Sequence, residues 1–151
     1  MPQSRVKANV AGNVDHAKLE TIERVHNLWN KYLDAKDVDG FVSLYAPDAV
    51  LESPLVRHIL GTEAGAVTGR DRLRDFIEKV MRRTPTSRQF YRTGYFTDGT
   101  VTMWEYPHQT PDGEQMDFVE VMRIEDGLIK WHHVYWGWFG VKILEEDRYR
   151  R

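Results

Sequence analysis

Residues 115–139, QMDFVEVMRIEDGLIKWHHVYWGWF, carry the pattern that decides the fold. Before Asp126-Gly127, Phe118, Met122 and Ile124 alternate with Val119 and Val121; after it, Val134, Trp136 and Trp138 alternate with Ile129, Trp131 and Tyr135. A period of two in β-branched and aromatic residues puts successive side chains on opposite faces of a sheet. Glycine at the reversal takes the positive φ that a tight hairpin needs. Taking Glu125-Asp126-Gly127 as the loop, with Gly127 left-handed, sets Ile124 opposite Leu128. Counting back, Met122 faces Lys130, Glu120 faces His132 and Phe118 faces Val134. Both faces of these strands are apolar. One helical layer covers one face of a sheet, so the other needs a second cover, for which another copy of the chain is the economical choice. The pattern therefore predicts a homodimer through the outer sheet face.

Working outward, runs 89–97 and 101–108 have the same period and are set off by Asp98-Gly99 and Pro111-Asp112-Gly113. Upstream the period becomes helical. Leu73, Phe76, Ile77, Val80 and Met81 recur at three- and four-residue spacing after Arg70. Leu19, Ile22, Val25, Leu28, Trp29, Tyr32 and Leu33 form a longer stripe, with Asp15 placed to cap its first turn. Between them Asp37 caps a short helix in which Val38, Phe41, Leu44 and Tyr45 share a face; Pro47 and Asp48 end it, and 49–53 reads as a short strand. Residues 54–69, with three glycines and weak periodicity, read as a long connection of the kind that forms lids and binding loops. Helices first and a meander afterwards is an α+β order.

Composition sets the outer bounds. The 151 residues suit one domain with a sizeable core, taken as 15–144 between a loose arm (1–14) and a charged tail (145–151). With 41% apolar and 29% charged residues the chain is globular in composition, and a net charge of −2 does not suit a nucleic-acid partner. There is no cysteine, which removes disulfides and thiolate chemistry together. No apolar run is long enough for a bilayer, so the expected location is cytoplasmic.

Three stretches carry a family resemblance. Asp37-Val38-Asp39-Gly40-Phe41-Val42-Ser43-Leu44-Tyr45-Ala46-Pro47-Asp48-Ala49-Val50 is similar to the second-helix-to-first-strand passage of the nuclear transport factor 2-like superfamily. Gly69-Arg70-Asp71-Arg72-Leu73-Arg74-Asp75-Phe76 resembles the start of its third helix, and Val121-Met122-Arg123-Ile124-Glu125-Asp126-Gly127-Leu128-Ile129 its last hairpin. The long loop and aromatic last strand look most like the SnoaL-like branch. The resemblance implies a cone-shaped, curved, mostly antiparallel sheet with three N-terminal helices enclosing a pocket. It does not imply one activity, because the superfamily holds isomerases, epoxide hydrolases, polyketide cyclases, dehydratases and non-catalytic association domains. Of the ketosteroid isomerase pattern, the Asp base falls at Ser53, the Tyr at Trp29 and the second acid at Glu120, so one carboxyl of the set remains. The Asp–Arg–Asp arrangement of the epoxide hydrolases cannot be assembled from Val101, Thr102, Met103, Trp104, Glu105 and Tyr106.

What the strands themselves offer is a Glu120–His132 pair among apolar neighbours. Such a pair relays a proton, or it is a satisfied polar contact in a core. Trp29, Trp104, Phe118, Val134 and Trp136 are the expected pocket wall, with Ser53 and His58 as polar contacts. His132 and His133 are strand neighbours pointing to opposite faces, so neither a metal nor a cofactor is expected. Three functions compete: an acid–base enzyme (isomerase, cyclase, dehydratase or hydrolase) on a hydrophobic cyclic substrate, a non-catalytic binder of such a molecule, and an association domain.

Overall fold

The fold is described by a computed structural model over residues 7–83, 94–109 and 115–146. In chain order the elements are β1 (Ala8–Val10), α1 (His16–Asp34), α2 (Val38–Ser43), β2 (Tyr45–Glu52), α3 (Pro54–Leu60) and β3 (Ala66–Thr68). They continue with α4 (Arg70–Arg83), β4 (Tyr95–Thr97), β5 (Val101–Gln109), β6 (Gln115–Glu125), β7 (Leu128–Trp136) and α5 (Trp138–Glu145). Among the described residues seven strands form one curved, unclosed sheet in the order β1-β4-β5-β6-β7-β2-β3. It is antiparallel except where β1 meets β4 and β2 meets β7.

The helical stripes bury the residues that their spacing predicts: Ile22, Val25, Trp29 and Leu33 from α1, and Leu73, Phe76, Ile77 and Met81 from α4. Asp37 caps α2 by accepting the Gly40 N–H at 2.8 Å. Asp15 occupies the N-cap of α1, but its side chain makes no capping bond. Among the described residues no helix is long and apolar enough to cross a membrane.

Four expectations are corrected, and a fifth is described only in part. The strand after α2 begins at Tyr45 and runs through Pro47, because its register against β7 is irregular between Tyr45 and Val50 and the ladder there does not require the missing amide. The supposed connection 54–69 contains α3 and β3. Ser53 accepts the Leu55 N–H, Pro54 sits in the first turn and Gly61, at φ 66°, closes the helix, so both of its punctuation marks were in the sequence. The arm expected loose from 1 to 14 contributes β1 at Ala8–Val10, paired with β4. The strand expected over 89–97 is described from Tyr95, and 89–93 lies outside the described residues. The last strand stops at Trp136, where Gly137 caps α5; of the expected tail, 147–151 lies outside the described residues.

The hairpin register differs too. Asp126 (φ 50°) and Gly127 (φ 77°) are both left-handed and form a two-residue turn, so Glu125 rather than Ile124 faces Leu128. A bulge then shifts the ladder: Ile124 pairs with Ile129 but Arg123 pairs with Trp131, leaving Lys130 extra. Beyond it Met122 faces His132, Glu120 faces Val134 and Phe118 faces Trp136. A tighter turn and an added residue each reverse the faces, and together they restore them. This is why Ile129 and His132, three apart on one strand, are both buried.

Candidate active site

The inner face of the sheet is read row by row across its strands. Thr102, Met122, His132, Leu51 and Val67 form one buried row, and Trp104, Glu120 and Val134 the next. Glu120 and His132 are therefore diagonal neighbours, within reach for long side chains. His132 Nε2 is hydrogen-bonded to Glu120 Oε2. Both residues are out of solvent, Glu120 being 4% and His132 2% exposed, so a charge at either one left unpaired would cost several kcal/mol.

The other ring nitrogen is held as well. His132 Nδ1 lies 2.9 Å from the Tyr45 hydroxyl, and the Trp29 Nε1–H donates to that same oxygen at 3.2 Å. Trp29–Tyr45–His132–Glu120 is thus a continuous buried chain from α1 through β2 and β7 to β6. Arg70, the first residue of α4, fixes the Tyr45 backbone by donating from Nε to its carbonyl at 2.7 Å. Burial pushes the Tyr45 hydroxyl well above its usual pKa, and the nearby Glu120 pushes it further; donation from Trp29 opposes both. It keeps its proton at any working pH.

The pair opens onto an apolar cavity of about 60 Å³ between the sheet and the helices α1–α4. Trp29, Ser53, Phe118, Val134 and Trp136 line it together with Glu120 and His132, alongside Leu33, Phe41, Leu55, Phe76 and Tyr106. Phe118 and Trp136 pack ring to ring at 4.7 Å. The helix α5 comes down on Trp136 at Gly140, where a Cβ would lie 2.5 Å from the indole. An engineered cavity of about 150 Å³ accommodates benzene, so a ring-sized ligand enters here only if the half-buried wall, Val80, Val134 and Trp136, moves outward.

Two expected wall residues stand elsewhere. His58 lies on α3, half-buried, and is not part of the lining. Trp104 sits behind Trp29, edge to face at 5.4 Å, and packs on its far side against His26. Burial lowers the pKa of His26, against opposing effects from its hydrogen bond to Asn27 and from Glu23. His133 faces away from His132, stacking on Tyr135 at 4.2 Å on the outer face of the sheet. The residue missed in the sequence is Tyr45, read there as part of a helix face. A buried tyrosine must find a partner for its hydroxyl, but no spacing ties it to a histidine 87 positions away.

The family profile of the SnoaL-like domain matches residues 22–132. A nuclear transport factor 2-like protein from Anabaena variabilis superposes with a TM-score of 0.67 at 14% identity, over 84% of this chain and 96% of its own. A steroid delta-isomerase from Pseudomonas aeruginosa gives 0.65 at 19% identity, over 93% and 95%. A SnoaL-like protein of unknown function from Burkholderia thailandensis gives 0.62 at 17%, over 83% and 99%. No curated protein matches the chain.

Proposed function

The chain belongs to the SnoaL-like domain family of the nuclear transport factor 2-like superfamily, and from that premise we propose that it is an acid–base enzyme acting on a small hydrophobic, cyclic substrate. One observation carries this reading: a carboxyl and an imidazole, hydrogen-bonded to each other, stand in the wall of a mainly apolar cavity. In such a site the pair takes a proton from bound substrate, leaving the electron pair of the broken bond on the substrate, and returns the proton at another atom. Isomerisation, cyclisation and dehydration all reduce to that exchange, and hydrolysis adds a water. The mainly aromatic and aliphatic wall favours an apolar ring, held by Ser53 and the pair at its polar edge. The likeness to a steroid isomerase supports the fold and leaves the substrate open.

The test begins with a thermal-shift screen of cyclic ketones, enols and phenols, followed by turnover assays on the compounds that stabilise the protein. E120Q and H132Q are expected to retain binding and lose turnover by at least about 100-fold, the usual contribution of a positioned acid or base. Changed affinity with no turnover in the wild type would instead identify a non-catalytic binder.

We also infer a homodimer through the outer sheet face. Phe96, Met103 and Tyr135 are exposed there, with half-buried Val119, Val121 and Trp131 between them. Light scattering should give twice the chain mass for the wild type and the chain mass for V121E. A wild-type monomer would refute the inference.

A further inference from the structure

We propose that Tyr45 is a positioning residue: by donating to His132 Nδ1 it holds the imidazole in the Nε2–H form and so leaves Glu120 as the ionised base that meets the substrate. The proposal rests on the acid–base reading above and goes on to name which member of the pair takes the proton.

Trp29 can only donate, so the Tyr45 oxygen accepts its N–H. The Tyr45 hydroxyl proton then needs an acceptor of its own, because the side chain is fully buried. Among the described residues the acceptor in contact is His132 Nδ1. A Glu120 protonated on Oε1 would leave that O–H without an acceptor among the described residues, so three protonation arrangements of the pair remain. In the first, Glu120 is ionised and a neutral His132 carries its proton on Nε2; Tyr45 donates to Nδ1 and Nε2–H donates to the carboxylate. In the second, Glu120 is ionised and His132 is an imidazolium. In the third, Glu120 is protonated and donates to Nε2, so His132 carries its proton on Nδ1. Both of the latter put a hydrogen on Nδ1, where it faces the Tyr45 oxygen and leaves the Tyr45 proton with no acceptor. The first alone satisfies every donor in the chain.

Two consequences follow. His132 has both nitrogens engaged and offers no lone pair to a ligand. Glu120 forms no hydrogen bond other than that from His132 among the described residues, so its second oxygen has lone pairs to spare, and it lines the cavity. Glu120 therefore accepts the proton from substrate and becomes the neutral acid, while His132 keeps its own proton and orients the carboxylate. Tyr45 acts through His132 and does not line the cavity.

The test is nitrogen NMR of the full chain labelled with ¹⁵N-histidine, with the His132 signals assigned by H132Q. At pH 7 the wild type should show a protonated Nε2 and an unprotonated Nδ1 as a single form. A protonated Nδ1, whether as tautomer or imidazolium, overturns the proposal. Y45F should lose the single form and populate both tautomers; an unchanged spectrum overturns the role of Tyr45. Should Y45F not fold, replacing the tyrosines with 3-fluorotyrosine strengthens the donor without removing it. That must shift the Nδ1 resonance toward shielding, and no shift again overturns the role. The spectrum needs no substrate, so its failure removes the positioning role alone, whereas an E120Q that keeps turnover removes the acid–base reading.

Discussion

Replacing Tyr45 by phenylalanine isolates the energetic weight of the buried chain, because the ring that fills the core is kept and only the hydroxyl is lost. That hydroxyl serves two neighbours at once, Trp29 Nε1 at 3.2 Å and His132 Nδ1 at 2.9 Å. Each buried group left unsatisfied costs about 1–3 kcal/mol. The tryptophan contact is at the long end of hydrogen-bond geometry and belongs at the bottom of that range, while the histidine contact belongs near its middle. The expected loss is therefore about 3 kcal/mol. For a chain of this size that lowers Tm by roughly 6–12 °C. The assay is urea denaturation followed by tryptophan fluorescence, read as a fall in midpoint at constant slope. A loss below about 1 kcal/mol in Y45F would mean that both neighbours find water or relax freely, and Tyr45 would not be the partner that either of them requires.

Three further outcomes follow from other parts of the fold. His26 is buried with its pKa lowered, so the unfolded chain binds its proton more readily; its contribution to stability is full above the unfolded pKa of about 6.5 and is lost as pH falls through the lower folded value. The urea midpoint of the wild type should accordingly fall further between pH 7.5 and pH 5.5 than that of H26F. At Gly94 (φ 104°) a Cβ would lie 2.2 Å from the Lys7 carbonyl oxygen, so G94A should detach β1 from the sheet edge. Amide exchange at Tyr95, whose N–H donates to Lys7, should then accelerate while the central strands stay protected. F118A should cost about 3–5 kcal/mol in the same denaturation assay, because the ring is buried against Tyr106 and Trp136 and its loss enlarges the cavity that it lines.

How far the sequence carries depends on the range of the interaction that decides each feature. The stripe in α4 and the alternation in β6 are set by neighbours within a few residues, and both elements stand where their patterns predict; β7 starts where predicted but stops at Trp136, where Gly137 caps α5. α3 was lost for a different reason. Its cap and stop are local, at Ser53 and Gly61, but seven residues are too few for a helical period to show. β1 is a three-residue edge strand, and β4, equally short, lies between it and β5, so β1 joins the sheet only through β4.

By itself the sequence determined the α+β order, the helical and strand periods, and the placing of Glu120 and His132 on one face near the last turn. Those features depend on parity and on local geometry, and parity survived a register that was two residues off. Only the tertiary structure decided the rest. The turn and the bulge at Lys130 compensate, and that is settled by which side chains the closed core will accept. The partner of His132 Nδ1 is likewise a matter of tertiary pairing, since it depends on β2 lying in parallel beside β7, a strand distant in the chain. A carboxylate and an imidazole can be placed side by side from spacing alone. Which of them holds the proton depends on a hydroxyl 87 residues away, delivered by the fold.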